Sequence, residues 1–277
     1  DVSDNLTAVS GPGDISSQTT SPLGMAFNAD GTKMFIVSDS GDHADSVLEY
    51  TLDTGFDISD NLTYVSGGNK DVSNEDTVPR GIAFNADGTK MFILGDAGND
   101  VTEYTCSAFD VSSCSVVTSG SDPFSVASEQ TAPLGIAFNT DGTKMFITGN
   151  TGDKVEEYDC STGFDVSSCS DGNSPKSTED EIPRGIAFND NGSKMFIVGD
   201  DENVVNEYAC GQFFDVSACS YSGDDERFEL PSDIETAPSG IAFNTDGTKM
   251  FVLGDVGDDI NEYACSTGFD VSTCHSA

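Results

Sequence analysis

The stretch Gly24-Met25-Ala26-Phe27-Asn28-Ala29-Asp30-Gly31-Thr32-Lys33-Met34-Phe35-Ile36-Val37 decides how this sequence folds, because near-copies of it begin at Gly81, Gly135, Gly185 and Gly240. Self-similarity at a fixed period governs architecture ahead of any residue-level argument. The Phe of each copy falls at Phe27, Phe84, Phe138, Phe188 and Phe243, so the successive spacings are 57, 54, 50 and 55 residues and five units account for all 277 residues.

Every unit breaks into strands for stated reasons. A Pro opens it (Pro22, Pro79, Pro133, Pro183, Pro238), where a strand needs no ladder donor. A short apolar strand follows, with first strands expected near 22–28, 79–85, 133–139, 183–189 and 238–244. Asn-x-Asp-Gly, or Asn-x-Asn-Gly in the fourth copy, then separates it from a second apolar run, which is a hairpin signal because the Gly supplies a positive φ. A third strand carries Glu-Tyr at Tyr50, Tyr104, Tyr158, Tyr208 and Tyr263. A Phe-Asp-Val-Ser or Phe-Asp-Ile-Ser segment then leads to a variable, Ser-rich fourth strand. No stretch holds a helical period. The reading is all-β: a single five-bladed β-propeller over residues 1–277, with four-stranded antiparallel blades. A β-solenoid is the competing architecture, but its coils are shorter than this unit.

The chain ends bear on closure. Asp1-Val2-Ser3-Asp4-Asn5-Leu6-Thr7 matches Asp57-Ile58-Ser59-Asp60-Asn61-Leu62-Thr63, and the chain stops just after Phe269-Asp270-Val271-Ser272. The N-terminus is therefore expected to supply the outer strand that closes the last blade. The same strand is able to complete a neighbouring molecule instead, which would string copies into a filament. Residue 1 is Asp, which reads as a mature chain whose leader has been removed or as a segment of something longer.

Eight Cys fall into four couples: Cys106 with Cys114, Cys160 with Cys169, Cys210 with Cys219, and Cys265 with Cys274. Each couple brackets the Phe-Asp-Val-Ser turn, and the first unit replaces both positions, with Leu52 and Asn61. Joint presence or absence is what a bonded pair predicts. Zinc favours tighter spacing and His partners, and only His43 and His275 exist. Four local disulfides imply an oxidising compartment and a secreted or cell-surface protein.

Lys plus Arg is 11 and Asp plus Glu is 49, giving a net charge of −38. That field repels nucleic acid and anionic lipid. It suits a protein kept soluble in salty water or one that collects divalent cations. No apolar run reaches the ~20 residues of a membrane-spanning helix.

The loops after the second strand carry Asp39, Asp42, Asp96, Asp100, Asp153, Asp200, Asp255 and Asp258, with a Gly in most of them. Oxygen ligands on a turning backbone are what calcium needs, but Asp, Asn and Gly are also default turn formers, so both readings stand. Calcium is the one cofactor this chemistry suggests. A second acidic set precedes each Pro: Glu75 and Asp76, Glu129, Glu179 to Glu181, Asp233 and Glu235. In a propeller these two loop sets emerge on one face, where a cation or a basic partner is expected. Lys33, Lys90, Lys144, Lys194 and Lys249 share one hairpin position and are read as balancing nearby Asp, each worth little. The acceptor pattern for glycosylation occurs at Asn5, Asn61 and Asn191. Two His, no Trp, three Arg and no nucleophile motif point away from an enzyme.

From Pro133 to Ile147 (Pro-Leu-Gly-Ile-Ala-Phe-Asn-Thr-Asp-Gly-Thr-Lys-Met-Phe-Ile) the chain resembles the propeller repeats of bacterial and archaeal surface-layer proteins, the YVTN type, and related repeats of marine bacterial and phage surface proteins. It departs where the name-giving motif should stand, as in Met195-Phe196-Ile197-Val198-Gly199-Asp200, and its unit exceeds the ~40 residues usual there. The resemblance implies fold and surface location, and no activity. The expected function is an extracellular, non-enzymatic structural or adhesive propeller that self-assembles into a filament or belongs to a larger appendage. The alternative is a glycan-binding propeller with one site per blade, against which the absence of Trp counts. Expected partners are copies of itself through terminal strand exchange, a glycan, or a cationic partner.

Overall fold

The computed structural model of the chain describes residues 13–59, 62–118, 120, 122–172, 174–231 and 236–276. Five antiparallel sheets succeed one another along the chain, one per repeat. In the third, Pro133–Phe138 is the inner strand, followed by Lys144–Gly149 and Lys154–Cys160, and the outer position is divided between Cys169–Asp171 and Lys176–Ser177. The inner strands of the other blades are Pro22–Phe27, Pro79–Phe84, Pro183–Phe188 and Pro238–Phe243. The molecule is an all-β, five-bladed propeller.

The Asn-x-Asp-Gly hairpin is locked by its own side chains. The Asn139 side-chain oxygen accepts from Lys144 N at 3.0 Å, Asp141 accepts from Thr143 N at 3.0 Å, and Gly142 takes φ 71°. These hydrogen bonds favour the ionised form and hold the Asp141 carboxyl below its ordinary range, as they do for Asp30, Asp87 and Asp246. Phe164 then closes over the turn. It sits at φ 56°, a left-handed conformation unusual for a bulky residue, and a Cβ on Gly142 would lie 2.3 Å from its ring. Phe56, Phe109, Phe214 and Phe269 repeat this at φ 53–56°.

Packing is between blades. Phe35, Val37 and Val47 of the first blade share a buried cluster with Met91, Ile93 and Tyr104 of the second. The fifth interface is built the same way, from Phe251, Leu253 and Ile260 against Met34, Ile36 and Tyr50, so the ring closes within one chain. Near the axis the inner strands nearly touch: a Cβ on Gly135 would lie 2.1 Å from the Arg184 carbonyl oxygen, and one on Gly24 would lie 2.5 Å from that of Arg80. The axial space around these glycines is only about 20 Å³.

A polar latch runs from each blade to the next. Lys33 Nζ pairs with Glu49 at 2.6 Å and donates to the Phe109 carbonyl at 2.8 Å, while Glu49 accepts from Val111 N at 3.3 Å. Lys90 and Glu103 hold Phe164 and Val166 of the third blade in the same way. Lys194 and Glu207 hold Phe269 and Val271 of the fifth. Lys144 pairs with Glu157, which accepts from Val216 N at 3.0 Å. Lys249 pairs with Glu262 at 2.7 Å, donates to the Phe56 carbonyl at 2.7 Å, and Glu262 accepts from Ile58 N at 3.4 Å, closing the circle. The lysines thus correct the sequence reading: their principal partner is a buried Glu on the adjacent strand, which the period-two alternation hides, and not a surface Asp.

Closure uses the N-terminal strand. Gly13 and Asp14 pair with Ile260 and Asp259, while Cys274–Ser276 pairs with the other end of the same strand. The last blade therefore makes half of its outer position itself and receives the other half from the start of the chain. All four disulfides are formed as the spacing predicts, Cys106–Cys114, Cys160–Cys169, Cys210–Cys219 and Cys265–Cys274.

Candidate functional site

The two acidic loop sets lie together on one face. Asp96 N donates to the Val78 carbonyl at 3.0 Å, Asp39 N to that of Ser21 at 3.2 Å, and Asn150 N to that of Ala132 at 3.0 Å. In blades two to four the residue three before the opening Pro is the anchor. Buried Asp76 accepts from Val78 N at 2.6 Å and Gly98 N at 2.8 Å, Gln130 accepts from Thr151 N at 2.7 Å, and Asp180 accepts from Ile182 N at 2.8 Å. These side chains stand in for a backbone turn and fix the loops above them.

Each predicted carboxylate has a defined place on this face. Asp96 and Asp200 are held by Arg80 at 3.1 Å and Arg184 at 2.7 Å. Asp153 and Asp258 both occupy the left-handed position before the third strand, at φ 52°, as Asp45, Asn99 and Asn203 do in the other blades. At those two residues turn formation explains the Asp. Burial pushes the Asp39 carboxyl up, and Arg80 opposes the shift. Asp42 lies in the exposed turn Gly41–His43, and Asp255 is exposed. The eight do not converge; they are spread one loop per blade around the rim.

Blade two holds the densest group. Burial, then the charges of Asp76 and Asp122, push the Asp100 carboxyl up to about 6. Burial likewise raises Asp122 to about 6, opposed by the hydrogen bond it accepts from Glu103 N. Asn99 Oδ1, Asp100 Oδ1 and Asp122 Oδ2 are buried oxygens without a donor among the described residues. Asp122 escaped sequence reasoning because it stands 22 residues beyond Asp100 and reaches it only through the pairing of Ser125 with Asp100. On the other face Glu207, Glu226 and Asp270 bring ligand oxygens within 4.8 Å of one another, but Lys194 already occupies Glu207.

That opposite face also carries an aromatic bowl of about 310 Å³ at the inner-strand ends, walled by Phe27, Phe56, Phe188, Phe243 and Phe269. Asn191 is exposed in a hairpin on this face, its side-chain oxygen accepting from Ser193 N at 3.0 Å. Asn5, Asn61, Asp233 and Glu235 lie outside the described residues.

No family model and no curated protein matches the chain. Solved structures do, and the likeness is to propellers. A functionally unknown protein from Desulfotomaculum acetoxidans is 11% identical at a TM-score of 0.51, over 92% of this chain and 68% of that one. The periplasmic gluconolactonase PpgL of Pseudomonas aeruginosa is 17% identical at a TM-score of 0.51, over 88% and 68%. A Bacteroides uniformis protein described as a candidate 6-phosphogluconolactonase is 15% identical at a TM-score of 0.52, over 91% and 69%. Identities this low establish the fold alone.

The comparison overturns the expectation that the chain is not an enzyme, because gluconolactonase stands among the proteins sharing its fold. The physical reason is that a propeller can gather reacting groups from separate turns without any linear motif, so the lack of a motif excludes nothing. The four disulfides agree with an extracellular or periplasmic compartment. Among the described residues no helix is long and apolar enough to cross a membrane.

Proposed function

We propose that the chain is a secreted propeller acting as a structural or adhesive module at a cell surface, presenting its carboxylate rim to divalent cations or a basic partner. The observation that carries this reading is the hydrogen bonding of the two acidic loop sets into one face, with Asp39, Asp96 and Asp200 on it. Blade two is where calcium is expected first, since Asp100 and Asp122 offer buried oxygens that lack donors among the described residues. Calorimetric titration with calcium, and with a basic polypeptide at low and high salt, tests it. Calcium uptake reduced by Asp100→Asn, or polypeptide binding that weakens with salt, is the expected result; the absence of both rejects it. Closure within the chain predicts a native mass of 29.0 kDa; a larger mass that falls when residues 1–18 are deleted would mean strand exchange between copies instead.

A second reading, hydrolysis of a sugar lactone, is favoured by one observation. Asp100 and Asp122 are carboxyls raised to about 6, the range in which such a group serves as a general base near neutral pH. Assay of gluconolactone opening by the wild type and by Asp122→Asn decides it.

A further inference from the structure

The chain has only three Arg, and two of them, Arg80 and Arg184, occupy the same place in their blades, directly after the opening Pro. Leu23, Leu134 and Ser239 hold that place in the other blades, and the five residues together line a cavity of about 10 Å³ at the acidic end of the axis. Each guanidinium commits one Nη2 to its own blade, Arg80 to Asp96 at 3.1 Å and Arg184 to Asp200 at 2.7 Å. The Nε–H of both is buried and has no acceptor among the described residues. Buried guanidinium donors are almost always satisfied in folded proteins, so each of these Nε–H groups calls for an acceptor.

We propose that this axial mouth holds one small anion, a chloride ion or a single carboxylate oxygen, between the Nε–H groups of Arg80 and Arg184. Each guanidinium is neutralised on its Nη2 side by its own carboxylate, and what favours an anion over a neutral acceptor is the charge-assisted hydrogen bond it accepts from each Nε–H. A space of about 10 Å³ suits a single small ion or one oxygen of a carboxylate entering from the rim. Leu23 and Leu134 complete the wall with apolar surface, which strengthens the local attraction. The Asp96 and Asp200 carboxylates on the two guanidiniums oppose the anion at short range and keep its affinity modest, while salt screens the rest of the −38 beyond about 8 Å at physiological ionic strength. The rim would thus collect cations while the axis holds an anion.

The test uses the intact chain crystallised without chloride and soaked in bromide, read by anomalous diffraction at the bromine edge. It is paired with the chlorine-35 NMR linewidth in solution. The expected result is a bromide peak on the axis within hydrogen-bonding distance of both Nε atoms. Excess chlorine linewidth should fall several-fold in Arg80→Met/Arg184→Met and persist in Arg227→Met. Acetate that abolishes the broadening identifies a carboxylate as a ligand of the same site; acetate without effect identifies a halide. No bromide peak, together with a linewidth equal in wild type and double variant, overturns the proposal, and the diffraction arm needs no variant to fold.

Discussion

At the residue scale, stability is concentrated in groups the repeat copies five times. Glu103 is buried, pairs with Lys90 at 2.6 Å and accepts from Val166 N at 3.2 Å, so truncating it strands a cation and a backbone donor at once. Glu103→Ala is expected to cost about 3 kcal/mol, the low end for breaking a buried pair because Lys90 keeps some access to water. Denaturant titration at neutral pH reads this directly. Gly142→Ala is expected to destabilise as well, since the φ of 71° and the Phe164 ring 2.3 Å from the new Cβ leave no room. Asp100 and Asp122 act in the opposite sense. Their folded values, about 6, stand above the ordinary 3.8, so the stability linked to their protons is complete below about pH 4 and is lost as pH rises through 6. Asp100→Asn should therefore raise the stability at pH 7.5 by on the order of 1 kcal/mol after solvent screening, seen as a higher melting temperature, and bring no gain at pH 4. Melting curves at the two pH values check the sign. Little of this was legible beforehand: the Asp-Gly turn was, because its chemistry is local, whereas Glu103, Asp122 and the Arg80–Arg184 pair depend on contacts between residues far apart in sequence.

Single elements show where local signals stop. Inner, second and third strands follow from apolar runs bounded by Pro and Asp-Gly, and they stand where the sequence places them. The outer strand does not stay whole. It is one strand, Thr63–Asp71, in the first blade and two pieces in the others, because the Ser-rich linkers there carry too few apolar side chains to hold a continuous ladder. Cystines pin the first piece in four blades. In the fifth, Cys265 and Cys274 face each other across the final hairpin, the one element that ends at the C-terminal edge. Replacing both by Ala is expected to cost roughly 2.5 kcal/mol, the loop-entropy value for a ring of this size. Thermal denaturation compared with the Cys160/Cys169 double Ala variant separates a general staple from one special to the last blade.

For the whole molecule, equivalence of the five interfaces is the organising fact. The contact between the last and first blades uses the same aromatic cluster and the same Lys–Glu latch as its four counterparts, although its partners are some 200 residues apart, as with Ile58 and Glu262 at a separation of 204. Five-fold repetition made this architecture readable, and it equally concealed function, since a site assembled on one face leaves no consecutive trace. Lys249→Met is expected to loosen the ring only at its seam, seen as faster amide exchange at Phe56 to Ile58 than at the equivalent turn from Phe109 to Val111. Closure within a single chain is the claim on which the rest stands, and a high-resolution density map of the intact protein tests it most directly. The account predicts five sheets around one axis, with Gly13–Asp14 of the same chain bonded to Asp259–Ile260 and Lys249 Nζ against the Phe56 carbonyl. A different number of sheets, or a strand from a neighbouring chain in that position, would contradict it.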